Sequence, residues 1–157
     1  MPAPNFELIT ELQVCIRRDF PLAVPGILNP YDAQPLVEGE WLEFDTNYLL
    51  ARGAGAGVSC AVFPVHTERG RYETQAVQKT NVIFAGQYEG ETAMFDTSGS
   101  YTIGAELMVD DVTIGGIVRR ALKPATAGHA VVGFVTKVTG TGAAAKLRFL
   151  HTGTYLK

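Results

Sequence analysis

The sequence predicts an all-β protein, a small β-barrel or β-sandwich with an extended N-terminal arm. Three observations predict it. From residue 101 to 150, short runs of β-branched and aromatic residues alternate with glycine or acidic breaks, the pattern of a small sheet or barrel. After residue 40 no amphipathic period of ten or more residues suggests a helix. Before it, Pro21, Pro25, Pro30 and Pro35 recur every four or five residues. Each removes a backbone donor and biases its predecessor toward an extended conformation.

Taken in order, Leu8, Leu12, Val14 and Ile16 alternate with polar residues as in a strand, although Leu8, Leu12 and Cys15 also suit a short helix. The proline-spaced stretch interleaves Phe20, Leu22, Val24, Ile27, Leu28 and Tyr31. A free linker is polar, so residues 1–36 read as an arm laid on an apolar surface, followed by a single β domain over 37–157. Residues 41–44 and 48–51 flank Asp45, Thr46 and Asn47 as a hairpin. Gly53, Gly55 and Gly57 mark a break, and strands are expected over 58–65, 72–75, 80–85 and 92–95. Residues 101–109 end at Asp110-Asp111, read as a turn, and further strands are expected at 115–121, 130–138 and 146–150.

The totals narrow the function classes. With 157 residues, the chain can bury a real core. Its 46% hydrophobic content excludes a disordered chain, and its 18% charged content is low for a free monomer, which points to surface covered by partners. Residues 1–50 carry two arginines against eight acids, a balance of −6, whereas residues 51–157 carry 11 basic and 8 acidic residues, +3. An acidic leader on a mildly basic body suggests contact between the two, within one chain or between neighbours. No basic stripe tracks phosphates, so no direct nucleic-acid partner is expected. No apolar stretch is long enough to span a membrane, and no export signal is evident, so synthesis in a cytoplasm is expected. Cys15 and Cys60 sit inside apolar runs and read as buried free thiols, with one disulfide between them as the alternative.

Reactive constellations are scarce. The glycines at 53, 55 and 57 lack the Lys-Ser/Thr of a phosphate loop, and Val58 stands where a dinucleotide fingerprint needs glycine. His66, His129 and His151 share no metal-ligand spacing. Ser59, Ser98 and Ser100 lie in no nucleophile elbow. Asp110-Asp111, with Asp96 and Glu106 nearby, read as turn chemistry rather than a catalytic carboxylate pair. Arg69 and Arg71 resemble a hairpin tip, and Arg119-Arg120, pointing to opposite faces of a strand, are candidates for partner contact. Tyr88, Gly90 and Glu91 match part of a trimeric nucleotide-hydrolase signature, but Ala85 stands where that signature needs aspartate, so the reading is rejected.

The motifs 104–109, 116–121, 128–137 and 146–151, with a strand at 38–44 after a proline-rich leader, resemble in order the small β domains of tailed-bacteriophage capsid decoration (cement) proteins. The resemblance covers roughly residues 36–151. It implies a non-enzymatic virion protein on the outer capsid surface, with the major capsid protein and neighbouring copies of itself (trimer or dimer) as partners. It carries over no catalytic residue, cofactor or metal. Phe20, Leu22, Ile27, Leu28 and Tyr31 of the arm, with Arg119 and Arg120, are the expected partner-binding residues, and deleting residues 1–36 is expected to leave a folded body. A tail or baseplate β-domain is the alternative, and a small ligand-binding or enzymatic barrel is a third reading.

Overall fold

The computed structural model describes residues 6–12, 15–22, 36–52, 62–64, 79–140, 144–152 and 155–156. Within them the protein is all-β, with no α-helix. The described residues form strands β1 (Phe6–Glu11), β2 (Ile16–Pro21), β3 (Trp41–Phe44), β4 (Leu50–Ala51), β5 (Val62–Pro64), β6 (Lys79–Ala85), β7 (Tyr88–Thr92), β8 (Glu106–Ile114), β9 (Ile117–Pro124), β10 (Ala130–Val131), β11 (Gly133–Thr139), β12 (Lys146–His151) and β13 (Tyr155–Leu156). A curled six-stranded sheet runs β1-β7-β12-β11-β8-β9, beside a three-stranded sheet β4-β3-β5 and the pairs β2-β6 and β10-β13.

Alternation explains the curled sheet. On β7 Tyr88, Gly90 and Thr92 face inward, and on β12 Leu147 and Phe149 do the same. The intervening Glu91 and Arg148 pair on the outer face, with Nη2 and Oε2 3.2 Å apart. Lys146 Nζ adds a contact of 3.6 Å to the same carboxylate. The inner face closes over Phe6, Trp41, Tyr88, Leu107, Val109, Leu122, Val135, Leu147 and Phe149. A second core holds Leu22, Leu42, Leu50 and Val82. Strand β3 lies between the two, sending Trp41 into the first and Leu42 into the second, as alternation of successive side chains requires. A third, smaller core of Met94, Val112 and Ala121 lies on the other face of the β8–β9 hairpin.

The structure corrects the expected arm. Residues 6–11 form the edge strand of the main sheet, antiparallel to β7 from Phe6↔Thr92 to Glu11↔Tyr88. Residues 16–21 continue along β6, from Ile16↔Ala85 to Pro21↔Lys79. The Leu12 amide donates to the Gln87 carbonyl at 2.9 Å where the ribbon passes from one sheet to the other. The leading segment is therefore extended and laid on an apolar surface, but its surface is β6 and β7 of its own chain. Residues 23–35, including Ile27, Leu28 and Tyr31, lie outside the described residues.

Other boundaries also move. Asp110 and Asp111 sit inside β8, opposite Ala121 and Arg120, and the turn falls at Gly115-Gly116. Both glycines have positive φ (60° and 81°), the geometry of a two-residue hairpin that glycine adopts without strain. The expected strand at 101–109 begins only at Glu106, and the one expected at 92–95 is β7, which ends at Thr92. The hairpin at 45–47 forms as expected: Asp45 Oδ1 accepts from the amides of Asn47 (2.8 Å) and Leu49 (2.9 Å). The glycine break at 53–57, Cys60, His66, Arg69, Arg71 and the strand expected at 72–75 lie outside the described residues.

Candidate functional site

The strongest concentration of buried charge surrounds Glu40, which precedes β3 and is fully withdrawn from solvent. The turn at Val37–Glu40, closed by the Glu40 amide donating to the Val37 carbonyl at 3.2 Å, places the carboxylate between β3 and β9. Glu40 Oε1 accepts from Arg52 Nε. Glu40 Oε2 accepts from Arg52 Nη2 (3.3 Å), Arg119 Nη1 (3.2 Å) and the Val37 amide (3.4 Å). A buried carboxylate survives only when its charge is compensated and its lone pairs are filled, and both conditions hold here.

Arg119 and Arg120 do point to opposite faces of β9, yet both are buried. Arg119 joins Glu40. Arg120 Nη1 lies 3.5 Å from Asp111 Oδ1 and 3.8 Å from Asp110 Oδ1, while Lys123 Nζ reaches Asp110 Oδ2 at 3.3 Å. Of the arm residues expected to meet a partner, Leu22 is buried in the second core. Phe20 packs edge-on to Phe44 at 5.0 Å and against Phe84 at 5.2 Å. Leu22, Arg119 and Arg120 are buried, and Phe20 is partly buried. Glu40 and Arg52 were missed by sequence reasoning, although one signal existed: Glu40 stands two residues before Leu42, and an acid in the apolar register of an expected strand needs a buried cation.

A second cluster forms around His151. Its ring stacks on Tyr88 at 4.9 Å and 16° and lies 6.4 Å from Trp41. Nδ1 donates to the Gly86 carbonyl at 3.3 Å, which fixes the tautomer of the neutral ring. Burial holds the imidazole below its ordinary range, against the opposing effect of that carbonyl. The neighbouring Tyr88 phenol is pushed well above its usual range by burial and, secondarily, by Cys15. Tyr88 Oη and Trp41 Nε1 are buried and have no hydrogen-bond partner among the described residues. Burial keeps the phenol protonated, and the imidazole packs against the Tyr88 and Trp41 rings.

His129 is confined to a local turn, 2.9 Å from Thr126 Oγ1. Ser98 Oγ donates to Asp96 Oδ1 at 2.7 Å, the turn chemistry expected of that segment. Among the described residues no three His, Cys, Asp or Glu side chains converge as metal ligands, and no helix is long and apolar enough to cross a membrane. Comparison of the chain with protein families, with curated proteins and with solved structures returned no match.

Proposed function

We propose that this chain is a structural virion protein that binds the outer surface of a bacteriophage capsid and stabilises it by clamping neighbouring major capsid subunits. The observation that carries the reading is the use made of charge. Glu40, Arg119, Arg120, Asp110, Glu91 and Arg148, the side chains best placed to carry chemistry, pair with one another inside or across the β body. A protein built this way offers shape and rigidity to a partner rather than a reactive centre. The ordered likeness of residues 36–151 to decoration proteins supports the same reading. Tyr48 and Ile103, more than three-quarters exposed on turns, are apolar surface of the kind a partner covers.

The test adds purified protein to heads assembled without it. Binding to the outer surface, with a higher temperature or denaturant concentration for head disassembly, is the expected result. Labelling confined to tails in intact particles overturns the capsid assignment in favour of a tail or baseplate part.

A further inference from the structure

Among the described residues, Tyr48 is the one non-glycine with a positive φ, 60°. It ends the loop Thr46-Asn47-Tyr48 of the β3–β4 hairpin, in which Phe44 pairs with Leu50 and the Asp45 amide donates to the Leu49 carbonyl at 2.8 Å. In a three-residue loop of this kind the last residue turns left-handed, a position that glycine or asparagine fills without strain. The tyrosine ring does nothing for the turn. The Tyr48 amide donates to the Asp45 carbonyl at 3.1 Å, and Asp45 Oδ1 accepts from the amides of Asn47 and Leu49.

Burial does not offset the strain either, because Tyr48 is 80% exposed. A bulky side chain disfavours the left-handed region, and an exposed aromatic ring leaves apolar surface in water. Glycine at this position would remove both penalties and keep the turn. A strained residue whose side chain the fold does not use points to a use outside the fold.

Charge indicates what the ring meets. Residues 41–51 carry two charged side chains, Glu43 and Asp45, both negative and both partly exposed. Neither joins an ion pair among the described residues. Both turn amides go to Oδ1 of Asp45, so Oδ2 takes no part in those bonds. The face of a tyrosine ring attracts a cation, and a neighbouring carboxylate adds a charged acceptor for it. An acidic surface is repelled by the same turn.

We propose that Tyr48, with Asp45 in the same turn, is a docking site for an arginine or lysine side chain of the protein that this chain binds. The inference rests on the capsid reading and gives the chemistry of the surface on the other side: a basic side chain seated against the β3–β4 turn.

The test uses the full chain and heads assembled without it. Tyr48→Gly and Tyr48→Asn remove the ring, and Thr46→Lys and Thr46→Glu change the charge of the exposed loop. Y48G and Y48N are expected to melt at the temperature of the unaltered protein or above it, yet to bind heads at least about tenfold more weakly, as loss of an aromatic anchor does. T46K is expected to weaken head binding and T46E to strengthen it, the order that a basic partner requires. Unaltered protein that fails to bind heads removes the capsid reading and this inference with it. Unaltered protein that binds, with Y48G and Y48N binding equally well, overturns this inference alone, as does the reverse order for T46K and T46E. A lower melting temperature in both tyrosine variants assigns the ring to the fold and overturns it too.

Discussion

Arg119 Nη1 sits 3.2 Å from Glu40 Oε2, across 79 residues of sequence, with neither side chain open to solvent. The contact ties the turn before β3 to the β8–β9 hairpin. Removing one member of a buried pair strands the other's charge, which costs about 3–5 kcal/mol. Glu40→Ala is expected to lower stability by that amount in urea unfolding. Glu40→Ala combined with Arg119→Met is expected to recover a large share, because the buried guanidinium of Arg119 is removed along with its carboxylate, and Arg52, 22% exposed, keeps access to solvent. Equal losses for the single and double variants count against an uncompensated charge as the cause.

Gly133 begins β11, where a Cβ would stand 2.5 Å from the Leu150 carbonyl oxygen. The obstacle is backbone in the paired strand β12 and cannot rotate away. Gly133→Ala is expected to cost stability near the upper end of the roughly 1–3 kcal/mol seen for overpacking. Gly104→Ala meets no atom within 4 Å but sits at φ 84°, so only backbone strain of about 1–2 kcal/mol opposes it. Thermal unfolding of the two variants reads the difference, and a neutral Gly133→Ala removes close approach as the reason for glycine there.

The all-β class was legible because alternation and turn chemistry are local: Asp45 marks its turn without help from the rest of the chain, whereas Gly115-Gly116, expected to start a strand, forms a turn instead. The charged centre was far less legible. Asp110 and Asp111 looked like a turn because adjacent acids in a strand are costly, and only the cross-strand neighbours Arg120 and Lys123 make the strand tolerable. The leader misled for a related reason. Its apolar residues between Phe6 and Leu22 do lie along an apolar surface, but nothing local says whose surface that is. The pairing of Phe6 with Thr92 spans most of the sequence.

That pairing changes what truncation does. Phe6 contacts Tyr88 at 6.3 Å and Phe149 at 6.4 Å between ring centres, so it is part of the main core. Phe6→Ala is expected to cost about 3–5 kcal/mol, the usual range for a large aromatic in a core. Deleting residues 1–36 exposes the β7 edge and opens both larger cores, so the product is expected to be unfolded or aggregated. Hydrogen exchange on β7 amides reports the event directly: protection lost in Phe6→Ala places the ring as the anchor of β1. Unchanged protection and stability mean that β1 is held without it.

His151 links stability to pH. Stacked on Tyr88, close to Trp41 and bonded to the Gly86 carbonyl, it lies beside a phenol that burial keeps protonated near pH 7. Burial lowers its pKa in the folded state, so the unfolded chain takes up the proton first as pH falls. Stability is unaffected by this group above about pH 6.5, the value of an unperturbed imidazole. Below that it declines, because the unfolded state binds more protons, and the decline ends once pH has dropped past the lowered folded value. His151→Phe keeps an aromatic ring against Tyr88 but cannot titrate. The melting temperature of the unaltered protein is expected to fall more steeply than that of the variant between pH 7 and pH 5, with the curves drawing together above pH 7. Parallel curves across that window mean that the buried imidazole does not set the acid limb of the stability profile.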